Sequence, residues 1–180
     1  MTHDSLRTFT NAVSSSWGPL ASGLVERSRR ELGRLLSAPA EESWLRALLA
    51  DGPDSRELYR DPNHDFLLLA HTEQVGLYRP PHDHGRGWVI YGVLRGEMEM
   101  GTYRRVHDLR GVSQLVRRET LVLRTGDVRV FLPGDIHDTL CTAGPLTLLR
   151  FTSRDLKKEE VTRYPEPGDA QSLAERSRVA

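Results

Sequence analysis

The sequence has little cysteine, no net charge and no long apolar run. Its 180 residues include 1 cysteine, Cys141, which excludes an intramolecular disulfide framework and fits a reducing compartment. Lys plus Arg number 25 and Asp plus Glu number 25, so the charges cancel. Without an overall field, we expect neither nucleic acid nor a membrane surface as a partner.

The absence of long apolar segments bears on localisation. The longest apolar runs, such as FLLLA at 66–70, are far too short to span a bilayer, and the first ten residues lack the apolar stretch of a secretion signal. We therefore expect a soluble, cytoplasmic protein. Its length suits one domain with a real hydrophobic core.

Residues 4–50 have the pattern of helices. Apolar side chains such as Leu24, Leu32 and Leu35 recur at helical spacing among Arg and Glu, and SAPAEESWLRALLA has the composition of a helix start followed by an apolar face. We expect two or three helices here, within an N-terminal segment 1–60 that packs on the rest of the fold.

From Phe66 onward the pattern is typical of β-structure. Short segments rich in Val, Leu, Tyr and Thr are separated by turn sequences such as TGD and LPGD. This predicts a small barrel or jelly roll over 61–154, followed by a charged, loosely attached tail at 155–180. The predicted strands are 66–72, 74–80, 87–94, 97–104, 114–123, 127–132, 137–142 and 146–152.

Three histidines form the candidate metal site. In the stretch PPHDHGRG, His82 and His84 are two residues apart, so on a strand both side chains point to one face, and Asp83 points to the other. If they point inward, they can occupy neighbouring positions around a divalent transition metal. His137 follows a Gly-to-Pro-Gly turn that begins a new strand, and it is the natural third ligand. The alternative is three structural imidazoles on an ordinary sheet.

The spacing of glycines around these histidines resembles the cupin superfamily. The first cupin motif runs from a Gly through HxH to a second Gly, and the second runs from Gly through Pro and Gly to His. The matching residues here, within a resemblance that covers about 60–152, are Gly76, His82, His84, Gly96, Gly126, Pro133, Gly134 and His137. The resemblance implies the cupin double-stranded β-helix, a jelly-roll barrel.

One departure from the cupin pattern concerns the ligand set. Val89 takes the position where most metal cupins carry a glutamate ligand, which leaves three histidines and no carboxylate. Such a site, together with HDHGRGWVIYGVLRGEME, resembles the group of cysteine dioxygenase and 3-mercaptopropionate dioxygenase. This resemblance implies non-haem Fe(II) and the oxidation of a small thiol to a sulfinate with O₂.

The thiol dioxygenases also suggest a residue for the substrate. They hold its carboxylate with an arginine upstream of HxH, a position that Arg60 matches, and an arginine can bind a carboxylate through two parallel hydrogen bonds. Arg86 and Arg150 are rival anion anchors. The family's Ser, His, Tyr relay is missing, since the aligned positions hold Thr147, Leu149 and Phe151.

The remaining candidate side chains are interpreted as structural. Tyr91 and Trp88 are expected to pack in the core, and Cys141 is expected to be a buried, inert thiol. The histidines without a motif around them are read as surface or strand residues: His3, His64, His71 and His107.

Two other functions stay open at this point. The chain can be a metal cupin with another activity on a small polar substrate, with Ni, Mn or Zn at the same site. It can also be a non-enzymatic module that binds a small molecule, with the helical segment as a partner surface. For the assembly, the sequence allows a monomer or a homodimer.

Overall fold

The computed structural model describes residues 4–107, 109, 111 and 113–165. In this part of the chain, three α-helices precede seven β-strands and a short 3-10 helix, Leu156–Lys158. The helices are α1 (Ser5–Ser14), α2 (Ser22–Leu35) and α3 (Ser43–Asp51). The strands are β1 (Arg56–Arg60), β2 (Leu67–Glu73), β3 (Tyr78–His82), β4 (Val89–His107), β5 (Ser113–Arg124), β6 (Val128–Phe131) and β7 (Ile136–Thr152). The predicted mainly β fold with N-terminal helices is confirmed.

The helices form an apolar layer against one face of the sheet. The side chain of Asp4 accepts a hydrogen bond from the Arg7 N–H at 3.0 Å, which satisfies one of the free donors at the start of α1. Leu32 and Leu35 of α2 are almost fully buried. They share a core cluster with Ile90 of the sheet, so the periodic leucines of the sequence mark the face that packs.

All strand pairs are antiparallel, and the sheet is organised around the two longest strands. Its order is β1-β2-β7-β4-β5, with β3 added beside β7 and β6 beside β4. Along β4, Val89–Gly92 pair with β6 and the later residues pair with β5. Along β7, the first residues pair with β3 and the last with β2. Each long strand therefore joins two parts of the sheet, which closes around an interior.

The structure joins segments that the sequence divides. The predicted strands 87–94 and 97–104 form the single strand β4, and 137–142 and 146–152 form the single strand β7. The breaks seen in the sequence are register shifts, because Gly96 adopts a φ of 90° and the β4–β7 pairing slips around it. Turn residues inside a strand therefore mark a bend of the sheet.

Residues of the long strands alternate between two cores. Val89 and Tyr91 of β4 belong to the barrel interior, whereas Ile90 between them faces the helices. On β7, Leu148 faces the interior and Leu149 faces the helices. This alternation is the period of two expected of a strand buried on both faces. It decides which side chains can reach the histidine site.

Three boundaries differ from the prediction. The predicted strand 74–80 is β3, Tyr78–His82, because residues 74–77 form a hydrogen-bonded turn. β1 lies inside the predicted helical segment 1–60, yet it pairs with β2 and belongs to the sheet. The described part of the tail, 155–165, contacts the barrel: Asp83 N–H donates to Thr162 O at 3.0 Å, and Tyr164 N–H to Pro81 O at 2.8 Å. The sequence did not predict these hydrogen bonds, because the polar composition of the tail is typical of a disordered segment. Residues 166–180 and His3 lie outside the described residues.

Within the described ranges, no helix combines the length and the apolar character that crossing a bilayer requires.

Candidate metal centre

The pairing of β3 with β7 brings the three histidines together. His82, the last residue of β3, is the direct cross-strand partner of His137 near the start of β7. His84 follows two residues later, and one ring nitrogen from each of the three residues lies within 4.8 Å of the others. Among the described residues, no carboxylate or thiol joins this cluster. The arrangement is a compact set of three imidazole ligands.

The burial of these rings favours their neutral form. Burial lowers the pKa of His84 to about 3, with the charges of His82 and Arg150 acting in the same direction. Burial also lowers the pKa of His82, and it holds the pKa of His137 well below its usual range. A metal ligand must be a neutral imidazole with a free lone pair, so the site is prepared for a cation at neutral pH.

The hydrogen bonds of the rings test whether a metal fits. His82 Nδ1 lies 2.9 Å from Pro80 O, and since a carbonyl only accepts, Nδ1 carries the hydrogen and Nε2 is left as the ligand atom. His137 is 0% exposed, and both of its ring nitrogens lack a partner in the described structure. A buried polar atom without a partner is costly. These residues therefore fit a divalent transition metal.

A cavity of about 520 Å³ opens beside the histidines. His82 and His84 line it from one side, and Leu148 and Met98 contribute apolar surface. Its polar lining includes His71, Glu73, Tyr78, Arg79, Tyr91, Arg150 and Arg163. The size and the lining suit a small polar molecule.

Arg150 is one of the cations that line this cavity. It is the cross-strand partner of Tyr91 on β4, and its charge lowers the pKa of all three clustered histidines. Its Nε is buried without a hydrogen-bond partner, and no described carboxylate forms an ion pair with it. Arg79, in contrast, is paired with Glu73 at 2.8 Å. Arg150 is thus available to an anionic ligand.

The structure does not bring Arg60 to the histidines. Its guanidinium donates to Glu57 at 2.8 Å and to Asp155 at 3.1 Å, and it is absent from the cavity lining. Arg86 is 80% exposed and pairs with Glu159. Of the three arginines considered from the sequence, Arg150 alone lines the cavity.

The three aligned relay positions do not belong to the metal side of β7. Leu149 and Phe151 are part of the core under the helices, while Leu148 and Arg150 line the cavity. The cavity-facing residues are therefore one position out of step with the aligned ones, and a shift of one residue along a strand moves a side chain to the other face. Since neither face of this part of β7 carries a His or a Tyr, the relay groups are missing from it.

Several residues of the cavity carry no motif in the sequence that marks them as functional. His71 does lie on a strand, β2, but it is buried and lines the cavity with Glu73. The hydroxyl of Tyr91, expected to be a packing residue, lies 3.3 Å from His84 Nε2. The sequence did hold a signal for them: in HTE, His71 and Glu73 are two residues apart on an apolar strand, so they share one face. Cys141 is buried, as expected.

Comparisons with known proteins give likenesses of fold. No protein-family model and no curated protein matches the chain. An oxalate oxidase structure is similar over 71% of this chain and 66% of its own, with 18% identity and a TM-score of 0.45. KdgF from Halomonas sp. has 19% identity over 56% of this chain and 80% of its own, with a TM-score of 0.40.

A cupin superfamily protein from Desulfitobacterium hafniense is similar to a comparable extent. It has 18% identity over 56% of this chain and 76% of its own, with a TM-score of 0.39. The function proposed below therefore rests on the residues of the cavity.

Proposed function

We propose that this protein is a metal-dependent cupin enzyme that acts on a small anionic substrate. In its specific form, the proposal is a non-haem Fe(II) thiol dioxygenase that oxidises a thiol of the cysteine or 3-mercaptopropionate type to a sulfinate. The observation that carries it is the cluster of three neutral imidazoles beside a cavity that Arg150 lines without a carboxylate partner.

The ligand set explains the preference for an anion. His82, His84 and His137 would hold the ion through neutral nitrogens, so no protein charge offsets the two positive charges of the metal. When bound, a ferrous ion would supply the centre at which a thiolate and O₂ meet. Both oxygen atoms of O₂ end on the substrate sulfur, so RSH plus O₂ gives RSO₂H without a further reductant.

The protein side chains bind and orient the substrate. Arg150 presents guanidinium donors to the cavity, which suits the carboxylate of a small thiol acid. Holding that carboxylate fixes the distance from the thiol to the histidines, and such positioning is a large part of catalysis. Burial raises the pKa of Tyr91, so its hydroxyl keeps its proton and can donate a hydrogen bond at the edge of the site.

The decisive experiment measures oxygen consumption and product together. Metal-free protein is loaded with Fe(II) under anaerobic conditions and then mixed with O₂ and a panel of small thiols. We expect O₂ uptake that matches the sulfinate found by mass spectrometry, and its loss in His137→Gln. No uptake with any thiol, with iron bound, would refute the thiol dioxygenase assignment.

The missing relay favours a second candidate, a metal cupin with another activity on a small polar substrate. The cavity-facing positions of β7 hold Leu148 and Arg150, which cannot take over the proton transfers of a His and Tyr pair. Three-histidine sites accept Ni, Mn or Zn as well as Fe, so the metal itself separates the candidates. Elemental analysis of protein purified without added metal tests this. Bound Ni, Mn or Zn with no iron above background would favour the second function.

A further inference from the structure

β2 carries two buried polar side chains that the proposed reaction does not use. His71 is 9% exposed and Glu73 is 5% exposed, and both line the cavity. They stand on the same face of β2, about 7 Å apart along the strand. Their cross-strand partners on β7 are Leu148 and Leu146, which places them near Arg150.

The free atom of His71 is a hydrogen-bond acceptor. Its Nδ1 lies 3.2 Å from Asp54 O, and because a carbonyl accepts, the hydrogen belongs to Nδ1. Burial, with the charges of Arg150 and Arg79, lowers the pKa of the ring to about 4, so it is neutral at pH 7. Nε2 therefore offers a lone pair, and it is buried with no partner in the described structure.

The free atom of Glu73 is an acceptor as well. Its Oε1 accepts hydrogen bonds from Arg79 Nε at 3.0 Å and Nη2 at 2.8 Å. Its Oε2 is buried and has no partner among the described residues. The pairing uses one oxygen of the carboxylate and leaves the other for a donor in the cavity. Buried acceptors without a partner are rare, so these two atoms need a donor, which a bound ligand can supply.

The two sides of the cavity are complementary in sign. Arg150 provides a positive charge that no described carboxylate pairs with, while His71 and Glu73 provide unpaired acceptors, one of them on a carboxylate. A ligand that satisfies both sides carries an anionic group and, near it, a group with N–H donors. A protonated amine fits better than a hydroxyl, because it has three donors and a charge opposite to that of Glu73.

We propose that His71 and Glu73 form a subsite for a protonated amine, beside the anion held by Arg150. The ligand is then a small zwitterion of the amino-acid type. This inference shares the Arg150 end with the proposed function and rests on it there, but the amine subsite needs neither a metal nor an oxidation. Within the proposed reaction, it selects an aminated thiol acid over its deaminated counterpart.

The test compares two ligands that differ only by the amine, alanine and propionate, titrated into the purified protein and followed by NMR. We expect alanine to bind about tenfold or more tightly than propionate, the size of one charged hydrogen bond. In Glu73→Gln the preference should fall to about one, because the amide can turn its N–H toward the cavity. His71→Gln should reduce the preference several-fold.

Glu57→Gln is the matched control, since this glutamate is exposed and pairs with Arg60 outside the cavity lining. It should keep the full preference for alanine. Equal binding of both ligands, no binding of alanine at all, or a preference that survives in Glu73→Gln would each overturn the subsite. If Glu73→Gln fails to fold in thermal unfolding, the wild-type preference and His71→Gln decide.

The two proposals fail in different experiments. A protein that discriminates alanine from propionate but consumes no O₂ with thiols keeps the amine subsite and loses the dioxygenase assignment. A protein that oxidises cysteine and 3-mercaptopropionate with equal kcat/KM keeps the assignment and loses the subsite.

Discussion

Two arginines are candidates for binding the substrate carboxylate: Arg60 is suggested by sequence similarity, and Arg150 by its position in the cavity. We expect Arg150→Gln to raise KM for a carboxylate-bearing substrate by about 10-fold to 100-fold. A hydrogen bond to a charged group contributes roughly 1.5–3 kcal/mol to binding. Arg60→Gln is the matched control, since Arg60 already donates to Glu57 and Asp155. A large KM effect of Arg60→Gln, with none for Arg150→Gln, would show that the anchor is misassigned.

His71 gives the protein a dependence of stability on pH. Its pKa in the folded protein, about 4, is below the ordinary value of 6.5, since burial disfavours the charged ring. Between these two pH values the unfolded chain binds the proton and the folded chain does not, so stability is highest above 6.5 and falls as the pH drops. From pH 7 to about 5, this residue alone contributes a loss of about 2 kcal/mol.

Urea unfolding of wild type and His71→Gln, both in chelator, measures this contribution. The variant should lose less stability than wild type over the same pH range, because glutamine does not titrate. The other buried histidines are common to both proteins and cancel in the difference. Parallel pH profiles would mean that the ring of His71 is not held neutral by burial.

At the scale of elements, Gly96 shapes the bend of β4. Its φ is 90°, and a Cβ there would lie 2.7 Å from Ala143 O and 2.9 Å from Leu146 Cα on β7. Gly126 has a similar φ of 93°, but a Cβ there would meet no atom within 4 Å. Substituting each glycine by alanine therefore separates two costs: the positive φ alone at Gly126, and the positive φ plus the steric contact with β7 at Gly96.

We expect Gly126→Ala to destabilise by about 1–2 kcal/mol, the cost of a left-handed conformation. Gly96→Ala should lose at least about 1 kcal/mol more, because backbone atoms cannot move aside as a flexible side chain can. Denaturant unfolding gives both values. Equal losses would show that β7 relaxes around the added carbon.

Besides its backbone hydrogen bonds, the segment 155–165 contacts the metal-binding loop through a tyrosine hydroxyl. Tyr164 Oη donates to Asp83 Oδ2 at 2.6 Å, and Asp83 lies between His82 and His84. We expect Tyr164→Phe to lower the free energy of unfolding by about 1–2 kcal/mol, since it leaves a buried carboxylate with one donor fewer. The measurement is denaturant unfolding of the metal-free protein.

Arg105→Ala is the control for this prediction. Arg105 also donates to the hydroxyl of Tyr164, at 3.0 Å, but this contact is exposed. Its loss should change stability by less than about 0.5 kcal/mol. If both variants lose the same amount, the hydroxyl acts through the exposed contact and not through Asp83.

Over the whole molecule, the sequence predicted what depends on local periodicity. The leucines of α2 and the alternating strands carry that signal, and the spacing from Gly76 to His82 and from Gly126 to His137 indicated which turns precede the histidines. The position of Arg150 could not be read in this way. It depends on the pairing of β7 with β4 across a register shift, which is a property of the closed sheet.

The tail and β1 were not predicted correctly because their structure depends on distant partners and not on local periodicity. A short strand such as Arg56–Arg60 has a mixed, half-exposed pattern, so its assignment depends on the partner strand β2 and not on its own residues. The segment after Arg154 has a polar composition that predicts disorder. Its described residues are ordered by hydrogen bonds to the loop around Asp83, a partner that lies about 80 residues earlier in the chain.

Metal binding should stabilise the whole molecule, because the ligands come from β3, the loop after it and β7, which meet only in the folded sheet. A ligand that binds only the folded state adds RT ln(1 + [L]/Kd), about 2.7 kcal/mol at 100 times Kd. We expect Ni²⁺ to raise the Tm of wild type by several degrees, about 2–4 °C for each kcal/mol.

The histidine variants show whether this stabilisation comes from the cluster. His137→Gln should remove most of the rise in Tm, since it takes away a ligand whose two ring nitrogens have no described partner. His107→Gln, at an exposed position near the end of β4, should keep the full rise. An equal rise in Tm for both variants would place the metal elsewhere. Because the rise in Tm depends on bound metal, it should also disappear when a chelator is added.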